Sequence, residues 1–262
     1  MLQGLDLGLA ERVAFVSGAS AGLGRACAEA LGRCGAKLIL CARTEPSLRA
    51  AATALSHETG ADITTIVADV TTEEGRKTIF DADLAPDIIV TNAAGPPMGD
   101  FRDFDEAIWH DAVRVSMISP IMMIQGFIDG MIERKWGRII NITSSAVKAP
   151  LPLLGLSNGA RSGLTGFVAG LAREVAIHGV TINNLLPGRI ETDRLRSYVT
   201  RIAESHGIDR DVAAMRLTAA NPMRRFGHPS EFGAFCAFLA SEQAAYVTGQ
   251  NIVIDGGEYV GP

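Results

Sequence analysis

Short apolar runs alternate with longer amphipathic ones along the whole chain. The short runs fall at residues 12–17, 37–42, 62–68, 88–91, 137–143, 181–186 and 251–254. They are rich in Val, Ile and Leu without clean alternation, as expected of parallel strands covered on both faces. Between them, residues 23–34 put Leu23, Cys27, Ala30, Leu31 and Cys34 on one helical stripe, and 46–55 and 72–81 read as further helices. Two longer helices are expected at about 105–132 and 156–178. Each is apolar over more of its circumference than one sheet contact requires, which implies packing against another subunit as well. This alternation predicts an α/β fold, a three-layer doubly wound parallel sheet forming a single domain over residues 1–262. Loops at the carboxyl ends of such strands build the site, so the one irregular stretch, the polar and amphipathic 189–221 after the sixth strand, reads as its lid.

Composition narrows the function classes. A chain of 262 residues can bury a substantial core without disulfides or metal, and 47% hydrophobic with 20% charged residues excludes general disorder. A net charge of −5 with scattered Lys and Arg offers no footprint for nucleic acid or a membrane surface. Cys27, Cys34, Cys41 and Cys236 lack CxxC spacing and a nearby histidine pair, so they read as buried thiols in a reducing compartment, with no metal site. The opening MLQGLDLGLAER lacks the basic start and apolar core of a signal peptide. No uncharged apolar run is long enough to span a bilayer, and the expectation is a cytoplasmic protein.

Chemistry enters at VAFVSGASAGLG, which runs from the first strand into the first helix with Gly18, Gly22 and Gly24 at the turn. Glycines there admit positive φ and let the backbone approach a pyrophosphate, whose charge meets the helix N-terminus. Placed between a strand and an amphipathic helix, the turn reads as a dinucleotide site on a Rossmann fold. The second strand ends LILCARTEP, with Ala42 where an acid would pair the ribose hydroxyls of NAD and Arg43 next. That favours NADP(H) over NAD(H). The alternative leaves Arg43 as a solvated loop cation and gives the ribose to Glu45.

Four more segments follow strands: Ala68-Asp69-Val70, Asn92-Ala93-Ala94-Gly95, Asn141-Ile142-Thr143-Ser144-Ser145 and Leu186-Pro187-Gly188-Arg189-Ile190-Glu191-Thr192. With the tail RRFGHPSEFGAFCAFLASEQAAYVTGQNIVIDGG, they make the chain resemble a short-chain dehydrogenase/reductase, similar to the 3-oxoacyl-carrier-protein reductase type, over essentially its whole length. The resemblance implies that Gly18, Ser20, Ala21, Gly22, Leu23 and Gly24 flank the cofactor phosphates. It gives Asp69 and Val70 to the adenine, Asn92, Ala93 and Gly95 to the ribose, and Pro187, Gly188, Ile190 and Thr192 to the nicotinamide. It further implies a small-molecule substrate and a homotetramer built on the two long helices.

In that family a tyrosine supplies a proton, acidified by a lysine four residues later, while a serine holds the substrate oxygen and an asparagine organises a water relay. The serine corresponds to Ser144. The tyrosine, lysine and asparagine positions fall on Ser157, Arg161 and Ser116. A serine hydroxyl is far less acidic than a phenol and reaches less far, and a guanidinium does not release its proton. The usual proton path is therefore closed.

Three readings stay open. In the first, an NADP(H)-dependent oxidoreductase acts with Ser144 and Ser157 on the substrate oxygen, Arg161 providing positive field and a ribose contact, and water, Lys148, Tyr198 or His206 moving the proton. In the second, a substrate such as a cationic imine needs little acid catalysis. In the third, the fold binds nucleotide or acts as a scaffold without turnover. The loop GPPMGDF reads as a fixed wall at the pocket mouth. Met98, Leu151, Leu153 and Leu154 read either as its apolar lining or as ordinary packing.

Overall fold

The computed structural model describes residues 6–261, so readings that touch residues 1–5 and 262 lie outside it. Seven strands, β1 (Val13–Ser17), β2 (Lys37–Ala42), β3 (Ile63–Val67), β4 (Ile88–Thr91), β5 (Gly137–Ile142), β6 (Val180–Pro187) and β7 (Asn251–Ile254), form one sheet. Its order is β3-β2-β1-β4-β5-β6-β7, and every pairing is parallel. The strand order reverses between β1 and β4, which opens a crevice at their carboxyl ends. Every expected strand is present, three with the expected ends and the others with ends moved by one residue.

Nine α-helices accompany the sheet among the described residues: α1 (Gly22–Arg33), α2 (Glu45–Thr59), α3 (Glu73–Phe80), α4 (Glu106–Val113), α5 (Ser119–Glu133), α6 (Gly155–Val175), α7 (Asp193–His206), α8 (Arg210–Ala219) and α9 (Pro229–Ala240). The strand residues divide by parity, because successive side chains point to opposite faces. Ala14, Val16, Leu38, Leu40, Ile88 and Val90 pack with Leu31 of α1, Leu48 of α2 and Phe232 of α9. Phe15, Ile39 and Ile89 point the other way, onto Ile79 of α3, Phe127 of α5 and Val168 of α6. Double-sided burial explains the continuous apolar runs. The exception is β3, which is an edge strand with Thr64, Thr65 and Val67 exposed, so coverage on both faces does not hold there.

Three expectations about elements change. Residues 189–221 are not irregular: α7 and α8 fold on each other around Leu195, Val199, Ala203 and Ala213. The tail contributes α9, opened by a capping box between His228 and Glu231 and pressed on α1 so closely that a Cβ at Gly233 would lie 2.3 Å from the Ala26 carbonyl oxygen. The first long helix is broken by a π-helical turn at Arg114–Ile118. The whole run Glu106–Glu133 has the length and hydropathy of a membrane span, yet it forms a layer of this domain, with Met123, Ile124, Phe127 and Met131 in the core.

Candidate active site

The crevice is built from the ends of β1 and β4. Ser17 closes β1, and its Oγ donates to the Asn92 carbonyl at 2.9 Å while accepting from the Asn92 N–H at 2.8 Å. Gly18 then takes φ +61° and Gly22 φ +58°, a region that favours glycine. Gly24 is needed for space instead, since a Cβ there would lie 2.3 Å from the Gly18 carbonyl oxygen. The helix that follows begins at Ala21 with no capping side chain and no acid in its first turn. Its N–H groups and positive dipole end are left for an anion. These features fit a bound dinucleotide phosphate.

A cleft of about 350 Å³ continues from this turn. It gathers eight of the expected cofactor residues: Gly18, Ser20, Arg43, Asp69, Val70, Asn92, Ala93 and Gly95. Asp69 fixes its own turn, with Oδ1 accepting from the Thr71 N–H (2.9 Å) and hydroxyl (2.8 Å). Its other oxygen lies 3.8 Å from the Arg43 guanidinium, a loose surface pair. Burial pushes the Cys41 thiol on the same wall up to about 12, so it stays protonated at neutral pH.

Ala21, Gly22, Leu23 and Gly24 form the turn beneath the cleft. Pro187 ends β6 and Gly188 and Thr192 follow it, with the Thr192 methyl 3.7 Å from where a Gly22 Cβ would sit. Ile190 is buried and bridges to Gly227, with its side chain packed there.

Ser157 and Arg161 lie one turn apart on α6, as the i, i+4 spacing requires. Ser157 is buried. Ser144 caps the short turn Ser145–Val147, its Oγ accepting from the Ala146 N–H at 3.2 Å. Arg161 Nη1 donates to the carbonyls of Ile142 (2.9 Å) and Thr143 (2.8 Å), which ties α6 to the end of β5. Its Nε is buried without a partner, as is the Ser116 Oγ. Both residues line one cavity of about 20 Å³ with Ser17, Thr91 and Asn92, a volume that one water fills. Burial, and secondarily Arg194, pull the Arg161 guanidinium down to about 10, still well above neutrality. The π turn puts Ser116 there: Arg114 donates to the Thr71 carbonyl at 2.6 Å and the Ser119 hydroxyl to the Val70 carbonyl at 2.8 Å, pinning the helix on both sides of it.

The other candidates lie elsewhere. Lys148, Leu151 and Leu153 are exposed, so these two leucines line no closed pocket as the fold stands. Tyr198 packs into the small core shared by α7 and α8. His206 ends α7, twelve residues beyond Arg194, or about 18 Å along the helix at 1.5 Å per residue. One residue went unread in the sequence. Arg194, on the first turn of α7, lays its guanidinium on Gly95.

A family model described as Enoyl-(Acyl carrier protein) reductase matches residues 18–258. The 3-oxoacyl-[acyl-carrier-protein] reductase FabG of Vibrio harveyi is 35% identical over 257 residues, covering 97% of this chain and all of that protein. The chain belongs to the short-chain dehydrogenase/reductase family. Nodulation protein G of Azospirillum brasilense is also 35% identical, over 95% of this chain and 98% of that one. The solved structure of L-sorbose reductase from Gluconobacter frateurii, complexed with NADPH and L-sorbose, superposes with a TM-score of 0.92 at 28% identity, covering 97% and 98% of the two chains. As a short-chain dehydrogenase/reductase the protein is an NAD(P)-dependent oxidoreductase.

Proposed function

We propose that the protein is an NADP(H)-dependent reductase of a small carbonyl or imine substrate, working by a rearranged proton transfer. The carrying observation is that Arg43 lines the adenosine end of the cleft, beside Ser20 and Thr44, while Ala42 stands where an acid would serve NAD. A guanidinium there complements a 2′-phosphate and a carboxylate would repel it. The relative bound to NADPH and L-sorbose supports the same choice.

The bound cofactor supplies or accepts hydride. The α1 N-terminus and Arg43 would hold its phosphates, and Asp69 and Val70 its adenine. Ser144 and Ser157 would hold the substrate oxygen. Arg161 would stabilise the negative charge that develops there, being fixed by two carbonyls and unable to act as an ordinary proton donor near neutrality. The proton would come from water or from the substrate itself. Exposed apolar Ile118 and Phe167, on the two central helices, support assembly of several copies through them.

The second reading, nucleotide binding without turnover, is favoured by the burial of Ser157 and by the engagement of Arg161 with backbone carbonyls. NADPH titration followed by hydride transfer to a panel of ketones, aldehydes and imines separates the two. Turnover on one class, reduced strongly by Ser144→Ala, supports the reductase. Tight NADPH binding with no turnover on the panel, and activity only after combined Ser157→Tyr and Arg161→Lys, supports the second reading.

A further inference from the structure

Two arginines flank the Asn92–Gly95 loop with no carboxylate between them. Arg194 comes down from the lid, and a Cβ at Gly95 would lie 2.3 Å from its Nη1 and 2.5 Å from its Nη2, so the contact exists only because residue 95 is glycine. Arg161 approaches the same loop from beneath, lining the small cavity with Asn92, Ala93 and Ala94. The acids nearby are engaged: Asp193 pairs with Arg196, Asp111 with Arg114, and Asp69 with Arg43. Among the described residues neither Arg161 nor Arg194 has a carboxylate partner. Although Arg194 is exposed as a residue, desolvation of its guanidinium, and then Arg201, lower its pKa. Arg194 is close enough to help lower the pKa of Arg161, and two like charges disfavour one another unless an anion offsets them.

We propose that Arg194, with Arg161 behind it, receives a carboxylate on the substrate, which makes the site selective for oxo acids over neutral carbonyls. This rests on the reductase reading for its substrate but not for its measurement. The cofactor phosphates already have the α1 N-terminus and Arg43, whereas Arg194 stands on the lid side, where a substrate enters. A carboxylate held by Arg194 accepts from its guanidinium, and one water in the small cavity can carry the contact on to the orphaned Nε of Arg161.

The test is calorimetric titration of the NADP⁺-loaded protein with pyruvate, 2-oxobutyrate, acetoacetate and levulinate, each against its methyl ester. At least one acid is expected to bind tenfold or more tightly than its ester. Arg194→Gln is expected to erase the difference, Arg194→Lys to keep part of it, and both to leave NADP⁺ affinity and the melting temperature unchanged. Equal binding of acids and esters, or no binding of any acid, overturns the proposal. Weakened NADP⁺ binding in Arg194→Gln also overturns it, by giving the guanidinium to the cofactor diphosphate. Tight acid binding without NADPH oxidation would keep this inference while refuting the reductase reading.

Discussion

Ser17 and Asn92 stand 75 residues apart in sequence and exchange two hydrogen bonds through one hydroxyl, at 2.9 and 2.8 Å. The pair stitches the end of β1 to the end of β4 where the strand order reverses, the place where a doubly wound sheet is open. Ser17→Ala removes the hydroxyl and takes one partner each from the part-buried Asn92 N–H and carbonyl. The expected cost is about 1–3 kcal/mol of global stability, with weakened NADPH binding as the crevice frays. Denaturant unfolding with an NADPH fluorescence titration checks this, and an unchanged midpoint would show the clasp to be incidental.

Gly24 tests close approach rather than backbone freedom. Gly24→Ala drives a methyl against the Gly18 carbonyl oxygen at 2.3 Å and the Asn92 amide at 2.9 Å, so the turn itself must move. The expectation is a loss of about 1–3 kcal/mol and at least tenfold weaker cofactor binding. Gly170→Ala on α6 is the control, because a Cβ there meets nothing within 4 Å. That change should stabilise the helix by about 1 kcal/mol. Similar melting shifts for the two variants would contradict the steric argument.

Cofactor choice rests on Arg43. Arg43→Ala removes a charged donor from the adenosine end of the cleft, an interaction worth about 1.5–3 kcal/mol. NADP⁺ affinity should therefore fall by roughly ten- to a hundredfold while NAD⁺ affinity changes little. The difference should shrink in salt, as an exposed ion pair does. Equal losses for the two cofactors would return the ribose to Glu45.

Much of this arrangement was legible because it is periodic. Phe15 and Val16 point to opposite cores, and a run apolar on both faces announces that without knowledge of its neighbours. Helices α7, α8 and α9 were legible in principle, from Thr192 and Asp209 as caps, from the amphipathicity of α7 and from the His228–Glu231 box, but the polar character of the first two and the motif-rich tail around the third hid them. The contacts that shape the site's chemistry were not legible. Ser116 reaches its cavity through a π turn pinned by bonds to Val70 and Thr71, more than 40 residues away. Arg161 read as a source of positive field and a ribose contact, and nothing in the sequence shows that its Nη1 donates to two carbonyls of the neighbouring strand end. Arg194 meets Gly95 across 99 positions, a proximity that only the folded chain produces.

The α7–α8 unit, proposed as the lid, should open before the sheet does. The buried apolar residues of the α7–α8 core are only Leu195, Val199, Ala203 and Ala213, against a sheet packed on both faces. Segments with so little buried apolar contact occupy the low end of the local stability range. Thr192 anchors this unit, its hydroxyl accepting from the Leu195 N–H at 3.3 Å while its methyl faces Gly22 across the phosphate turn. Thr192→Val keeps the shape and removes the cap, which costs about 1 kcal/mol at the helix start. Amide hydrogen exchange should then quicken through residues 193–219 and stay unchanged in β1, β4 and β5. NADPH should restore protection in the wild-type lid more than in the variant, because the lid's first turn lies against the cofactor crevice. Equal acceleration in the sheet would mean that the lid and core unfold as one unit, and that closure over the site is not an independent motion.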